Sequence, residues 1–235
     1  MTAKTIRERA WAKLGEGNWG RAVLAYGLYM LTGIVINTLL DRIGTATGGI
    51  EVTTLGDAIA KVSGLQLPQP LLDMQLKIPT PWWRVAGSIA SVMFNGPLTA
   101  GWTLFAVALM RGDAHVMQVL SGFGRFLSTA WLALVMSVRI ALWSLLLLVP
   151  GFVAMYAYRQ AFFLKADHPE WSAGQILAES KRMMKGHKWR LACLDASFIG
   201  WLLLGILTLG LGYMFVMPYM NVANAAFYED LLDRA

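Results

Sequence analysis

The sequence predicts an all-α fold: a polytopic transmembrane bundle of about six spans, built as three pseudo-repeats of an interfacial helix and a transmembrane hairpin. Three observations carry this expectation. The 235 residues are 57% hydrophobic and only 14% charged, against roughly 25% charged in globular domains. Long apolar runs are present. In Ala22–Leu40 Asn37 is the only strongly polar residue, and Trp131–Met155 is interrupted only by Ser137, Arg139 and Ser144. A crossing needs about 20 mostly apolar residues. Third, the cations are unevenly distributed, in the manner of loops on the two faces of a bilayer.

The net charge of +6 and the pI near 9.6 fit that asymmetry. No recognisable nucleic-acid module accompanies them. The single cysteine, Cys193, excludes an intrachain disulfide and a multi-cysteine metal site. The opening "MTAKTIRERAWAKL" has no short apolar core followed by a small-residue cleavage site. The first span is therefore expected to act as its own insertion signal.

Apolar segments place the six helices at 22–40, 85–110, 126–149, 151–166, 191–209 and 212–228. The third and fourth are divided by "VPG", Val149–Gly151, and the last two by "GLG", Gly210–Gly212. Fusing two of these spans would give five. With both termini cytoplasmic, the outer side carries Arg42, Lys61, Lys77 and Arg84. Arg139 and Arg159 fall within spans, and every other lysine and arginine lies inside.

The repeat is read from "KLGEGNWGRAVLA", "VLSGFGRFLSTAW" and "MMKGHKWRLACLD". Each sets a glycine, an aromatic residue and a cation just before an odd-numbered span. Asp167 and Asp230 follow their glycine markers, Gly122 and Gly186, at nearly equal distances.

Segments 1–20 and 168–188 are expected to be cytoplasmic interfacial helices of one membrane domain. In the second, Ser172 and Gln175 have capping-box spacing, and Ile176, Leu177, Ser180, Met183 and Met184 share a face. In the first, Thr5 and Glu8 repeat that spacing, and Ile6, Ala10 and Leu14 form a stripe ended by Gly15. Such helices can lie among headgroups with cations facing anionic lipid, the expected partner. Trp19, Arg21, Arg125, Phe126, Lys188, Trp189 and Arg190 are the expected interface anchors. The extracytoplasmic insertion, 41–83, reads as a short helix containing Leu55, Ala58, Ile59 and Val62. A proline-containing strap follows, ending at Trp82 and Trp83.

Charges at membrane depth invite a functional reading. Depth matches Arg159 to Asp195 as a pair between the fourth and fifth helices, whereas Arg139 has no obvious acidic partner. Pro97 in "FNGPLTAGW", with Asn95 beside it, and Pro218 in "VMPYMNVANAAF" are expected to break their helices, as Pro150 does between spans. Asn221 and Asn224 share a face and could line an interior beside Arg139, Arg159, Asp195 and Asn95. Asp113 and Asp167, just past spans, read as caps of the following segments. No zinc-ligand spacing, nucleophile elbow or phosphate loop occurs. A non-enzymatic protein without cofactor is therefore expected.

Residues 142–201, "LWSLLLLVPGFVAMYAYRQAFFLKADHPEWSAGQILAESKRMMKGHKWRLACLDASFIGW", resemble the bacterial integral membrane proteins grouped as domain of unknown function 975. "NWGRAV", "GPLTAGW" and "PYMNVANAAFYEDL" are similar to that family too. The resemblance implies a helical protein of the bacterial plasma membrane and carries no reaction or ligand. The expected role is a scaffold or accessory protein of the envelope, with a protein partner or homo-oligomer and no nucleic acid. The alternative is a transporter or lipid-handling protein using a polar midplane cavity near Arg139, Asp195, Asn221 and Asn224.

Overall fold

The computed structural model describes residues 2–46, 82–146 and 148–234, which are helices and turns with no strand among them. In chain order the α-helices are α1 (Ala3–Gly15), α2 (Trp19–Ala46), α3 (Trp82–Arg111), α4 (Phe126–Leu146), α5 (Leu148–Ala157), α6 (Ala161–Asp167), α7 (Ala173–Met183), α8 (Lys188–Ala196), α9 (Ile199–Leu207) and α10 (Tyr213–Leu232). A 3₁₀ helix, Val116–Arg125, precedes α4. The expected outer helix and its strap lie outside the described residues.

Four stretches are long and apolar enough to cross a membrane: Trp19–Arg42, Gly87–Arg111, Val116–Leu145 and Lys188–Leu207. Their outward faces are greasy. Leu31 and Ile34 on α2, Leu142 and Leu145 on α4, and Leu203, Ile206 and Leu207 on α9 are all exposed. Apolar patches on this scale do not persist in water. The chain is a membrane protein, helical throughout its described elements.

The chain forms two compact units, Met1–Val35 with Val92–Ala235, and Ile36–Ser91. In the smaller one, Ser91 Oγ donates to Asn37 Oδ1 at 2.9 Å.

The larger unit is organised around α10, whose residues from Val216 to Leu231 are nearly all buried. Phe163 of α6 stacks on Tyr228, with centroids 5.6 Å apart, and Phe198 meets Tyr219 edge-on at 5.0 Å. Two short amphipathic helices cover this core. Ile6, Ala10 and Leu14 of α1 are fully buried, as are Ile176 and Leu177 of α7. These stripes face protein, whereas the sequence suggested helices lying among headgroups with their cations toward anionic lipid. The reason is that each helix finds apolar neighbours within the fold. Tyr219 Oη donates to Arg7 O at 3.3 Å, and Arg7 Nη1 donates to Ser197 O at 3.1 Å.

Helix ends follow local chemistry. Ser172 caps α7: its Oγ accepts from Gln175 N at 3.4 Å while Gln175 Oε1 accepts from Ser172 N at 2.9 Å. At α1 the cap is Thr2, whose Oγ1 accepts from Thr5 N. The Thr5–Glu8 spacing is not a cap, because Glu8 faces Lys4 across a helical turn at 3.9 Å. Gly17 and Gly186 both take φ +84°, turning the chain from α1 into α2 and from α7 into α8. The third glycine marker, Gly122, lies inside the 3₁₀ helix and has no positive φ.

Gly122 serves close packing instead. A methyl group there would overlap the Pro97 carbonyl, and one on Gly101 would overlap that of Val119. Backbone therefore touches backbone where α3 meets the 3₁₀ helix. At Gly96 an added Cβ would meet that of Ala133 at 2.6 Å. The glycines of "GPLTAGW" are a contact surface. The chain reverses after α4, because Gly151 sits against Ser144. Residues seven apart in one continuous helix would be roughly 10 Å apart.

Candidate functional site

The helix breaks differ from the sequence expectation. Pro97 and Pro218 lie inside α3 and α10, and both helices run on through them. Each costs one backbone bond without ending the helix, since surrounding contacts hold both flanks. Pro150 is the third residue of α5, in the first turn, where its missing N–H has no intrahelical partner to lose. The break that does occur is at Tyr158–Gln160, between α5 and α6, within the expected fourth span. Ser180 of α7 donates to the Ala157 carbonyl at 2.9 Å. This bond satisfies an acceptor at the end of α5.

Arg159, in that break, places Nη2 3.8 Å from Asp195 Oδ1 of α8. Arg139 lies elsewhere, exposed on α4, with no ion pair or hydrogen bond among the described residues. Asn221 is buried in α10 and donates from Nδ2 to Trp102 O of α3 at 2.9 Å. Asn224 donates to Met220 O of its own helix at 2.9 Å, leaving Oδ1 buried without a partner. Asn95 is half-buried on α3, and its carbonyl accepts from Thr99 Oγ1 at 2.8 Å. Two cavities border the α9–α10 hairpin, and neither is lined by Arg139, Asp195, Asn221 or Asn224. The structure brings Arg159 to Asp195, and among the described residues Arg139, Asn221 and Asn224 do not join that pair.

Two ionic clusters were missed as such. In the first, Arg111 at the end of α3 grips both oxygens of Asp167 at the end of α6, at 2.7 and 2.9 Å. It also reaches Glu229 Oε1 of α10 at 2.9 Å, while Tyr228 Oη donates to Asp167 Oδ2 at 2.9 Å. Asp167 therefore closes a helix end and ties it to two others, and it is no cap for the segment that follows. Asp113 likewise offers its carbonyl, to Gln118 Nε2, while His115 is the cap residue of the 3₁₀ helix. In the second cluster Arg190 of α8 donates to Asp230 Oδ2 at 2.5 Å, and Arg234 to Oδ1 at 3.2 Å. The only sequence signal was the matched spacing of the two aspartates from their glycines.

Burial opposes the Asp167 carboxylate, but the bonds from Arg111 and Tyr228 outweigh it and hold the pKa below the ordinary value. Asp230 behaves the same way: burial works against the charge and the two arginines prevail. His187 beside them is pushed down by burial and by Arg190 and Arg234. Carboxylates so stabilised are poor proton acceptors at neutral pH. No group of metal-ligating side chains occurs among the described residues.

Of the expected anchors, Trp189 is fully at the surface, at 78% exposure. Arg21 and Arg125 are exposed, and Lys188 is half-buried. Trp19 meets Trp11 edge-on at 5.3 Å, and Phe126 packs on Phe94 at 5.1 Å. Arg190 is the exception, committed to Asp230 and lying 5.5 Å from the Phe227 ring.

The class defined by this geometry is a helical membrane protein whose polar groups mostly join helix ends. Residues 145–235 match the model of a family described as "Protein of unknown function (DUF975)". This is the family that the sequence motifs resemble, and the matched segment holds α5 to α10 with the Arg190–Asp230 pair. No curated protein and no solved structure matches the chain.

Proposed function

We propose that this chain is a six-span protein of the bacterial plasma membrane with both termini cytoplasmic, acting without catalysis as a scaffold or accessory protein of the envelope. The observation that carries the topology is the meeting of helix ends. Arg111, Asp167 and Glu229 stand at or near the C-terminal ends of α3, α6 and α10, and they form one cluster. Three returning segments thus finish on the same side. Arg190 near the start of α8 meets Asp230, so an outgoing segment begins there too. Out-and-back pairs α2–α3, α4 to α6, and α8 to α10 give six crossings. The turns at Gly17 and Gly186 support a repeat at two of its three places.

A role without catalysis rests on the commitment of the clustered acids to arginines. Anionic inner-leaflet lipids are the fitting partner for the surplus cations of that face. A protein partner or a second copy would cover part of the exposed apolar surface. Topology is tested with single cysteines in a Cys193→Ser background and a membrane-impermeant maleimide on intact cells. Lys61→Cys labels and Lys181→Cys labels only after permeabilisation; the reverse result rejects the topology. Crosslinked copurification of a fixed partner, without solute flux in vesicles, supports the scaffold over transport.

A further inference from the structure

The turn between α9 and α10 is built unlike a loop in water. Leu207, Leu209 and Leu211 are 81%, 96% and 72% exposed there. Turns in water favour polar residues and glycine. The segments that follow α3, α6 and α7 carry charge, at Asp113, Glu170 and Lys185. Between Asp195 and Glu229, by contrast, there is no Asp, Glu, Lys or Arg. Leu209 also takes φ +53°, a left-handed conformation that glycine or asparagine adopts more readily. The tip thus keeps a large apolar side chain at a conformational cost.

Its backbone donors are closed as well. Thr208 N donates to Leu204 O, Leu209 N to Ile206 O and Gly210 N to Gly205 O, each at 3.0 Å, and Leu211 N reaches Thr208 O at 3.2 Å. Gly212 N donates to Thr208 Oγ1 at 2.9 Å, and that hydroxyl bonds the Leu204 and Gly205 carbonyls. Tyr213, Met214 and Phe215 donate to the carbonyls of Gly210, Leu211 and Gly212. Every N–H from Thr208 to Phe215 therefore has a partner inside the hairpin. Water would satisfy open donors, and a protein partner brings acceptors of its own, whereas hydrocarbon offers none.

Length agrees with this. Arg190 and Asp230 are paired, and Leu209 and Leu211 lie nineteen residues from them along the two arms. At helical rise each arm is about 28 Å long. The first bends between Ala196 and Ile199, which shortens it. The hydrocarbon layer alone is roughly 30 Å thick.

We propose that the α9–α10 turn ends among the acyl chains of the outer leaflet and does not surface into water. Lipid tails are the partner of Leu207, Leu209 and Leu211. The proposal rests on the membrane reading and fixes where the third out-and-back pair stops.

The test places single cysteines in a Cys193→Ser background, each carrying a nitroxide, with the full chain in phosphatidylcholine vesicles. Relaxation by oxygen, which concentrates in hydrocarbon, is compared with relaxation by a water-soluble nickel chelate. At Leu209→Cys and Leu211→Cys the oxygen-to-nickel ratio should equal that at Leu203→Cys, midway along α9. It should exceed that at Lys181→Cys by about ten-fold, because a polar chelate is excluded from hydrocarbon. All three leucines are exposed, so the label displaces no packed side chain. Nickel dominance at Leu209→Cys with oxygen dominance at Leu203→Cys overturns the proposal and leaves the membrane reading intact. Poor access by both reagents at Leu209→Cys means that protein covers the tip, and overturns it too. Nickel dominance at Leu203→Cys as well overturns both readings.

Discussion

Arg111 and Asp167, 56 positions apart in the chain, meet through two parallel bonds, Nη1 to Oδ1 at 2.7 Å and Nη2 to Oδ2 at 2.9 Å. The same guanidinium reaches Glu229, so the ends of α3, α6 and α10 share one cation. Arg111→Ala is expected to lower stability by about 1–3 kcal/mol, since Asp167 is left largely buried while the arginine itself is half-exposed. Thermal unfolding in detergent measures it. A change indistinguishable from that of Lys181→Ala, an exposed cation on α7, would show that the cluster contributes nothing.

Acid should loosen the same face. Asp167 and Asp230 have folded pKa values below the ordinary 3.8. Their stabilisation is complete above that ordinary value and is lost as pH falls through the lower folded one. Thermostability measured from pH 7 to pH 3 should therefore drop at the acid end. The double variant Asp167→Asn, Asp230→Asn should start lower and flatten there. Parallel curves would refute the linkage.

The α3 contact with the 3₁₀ helix leaves no space for a side chain. Gly101→Ala and Gly122→Ala should each cost at least about 1–3 kcal/mol, because backbone on both sides must shift. Gly124→Ala, where a Cβ meets nothing within 4 Å, is the control. Expression level and the monodisperse fraction after extraction report the difference.

Ser180→Ala removes the donor to Ala157 O from a fully buried position. The expected loss is about 1–3 kcal/mol, the cost of a buried acceptor left without its bond. Ser180→Cys, with its weaker donor, should fall between. Hydrogen exchange at the α5–α6 junction would quicken in step, and unchanged exchange would deny the serine that role.

Arg139→Leu tests the expected polar midplane cavity. With the side chain exposed and unpaired, detergent stability should stay within about 0.5 kcal/mol of wild type. A large loss would mean that Arg139 has a partner in the folded protein.

Much of the helical plan was legible because it depends on near neighbours. Ser172 and Gln175 cap α7 at the spacing that the sequence displays. The turn at "GLG" also sits where its glycines announced it, whereas "VPG" lies within the first turn of α5. Arg159 met Asp195 because depth along two helices is set by rise per residue. Arg139 misled because depth says nothing about which way a side chain points. Asp167 was misread because a carboxylate just past a helix looks the same whether it caps the next segment or clasps a distant arginine. Pro97 in "GPLTAGW" suggested a break, yet the helix runs on and Gly101 of the same motif marks a surface where two backbones touch.

By itself, then, the order of residues determined helix and the apolar surroundings of the long stretches, both of which depend on composition and on spacing within a few turns. Only the folded arrangement decided that the stripes of α1 and α7 are covered by protein and that Arg111 and Arg190 join helix ends. Those outcomes depend on which surfaces meet across long stretches of chain, and no local periodicity encodes that choice.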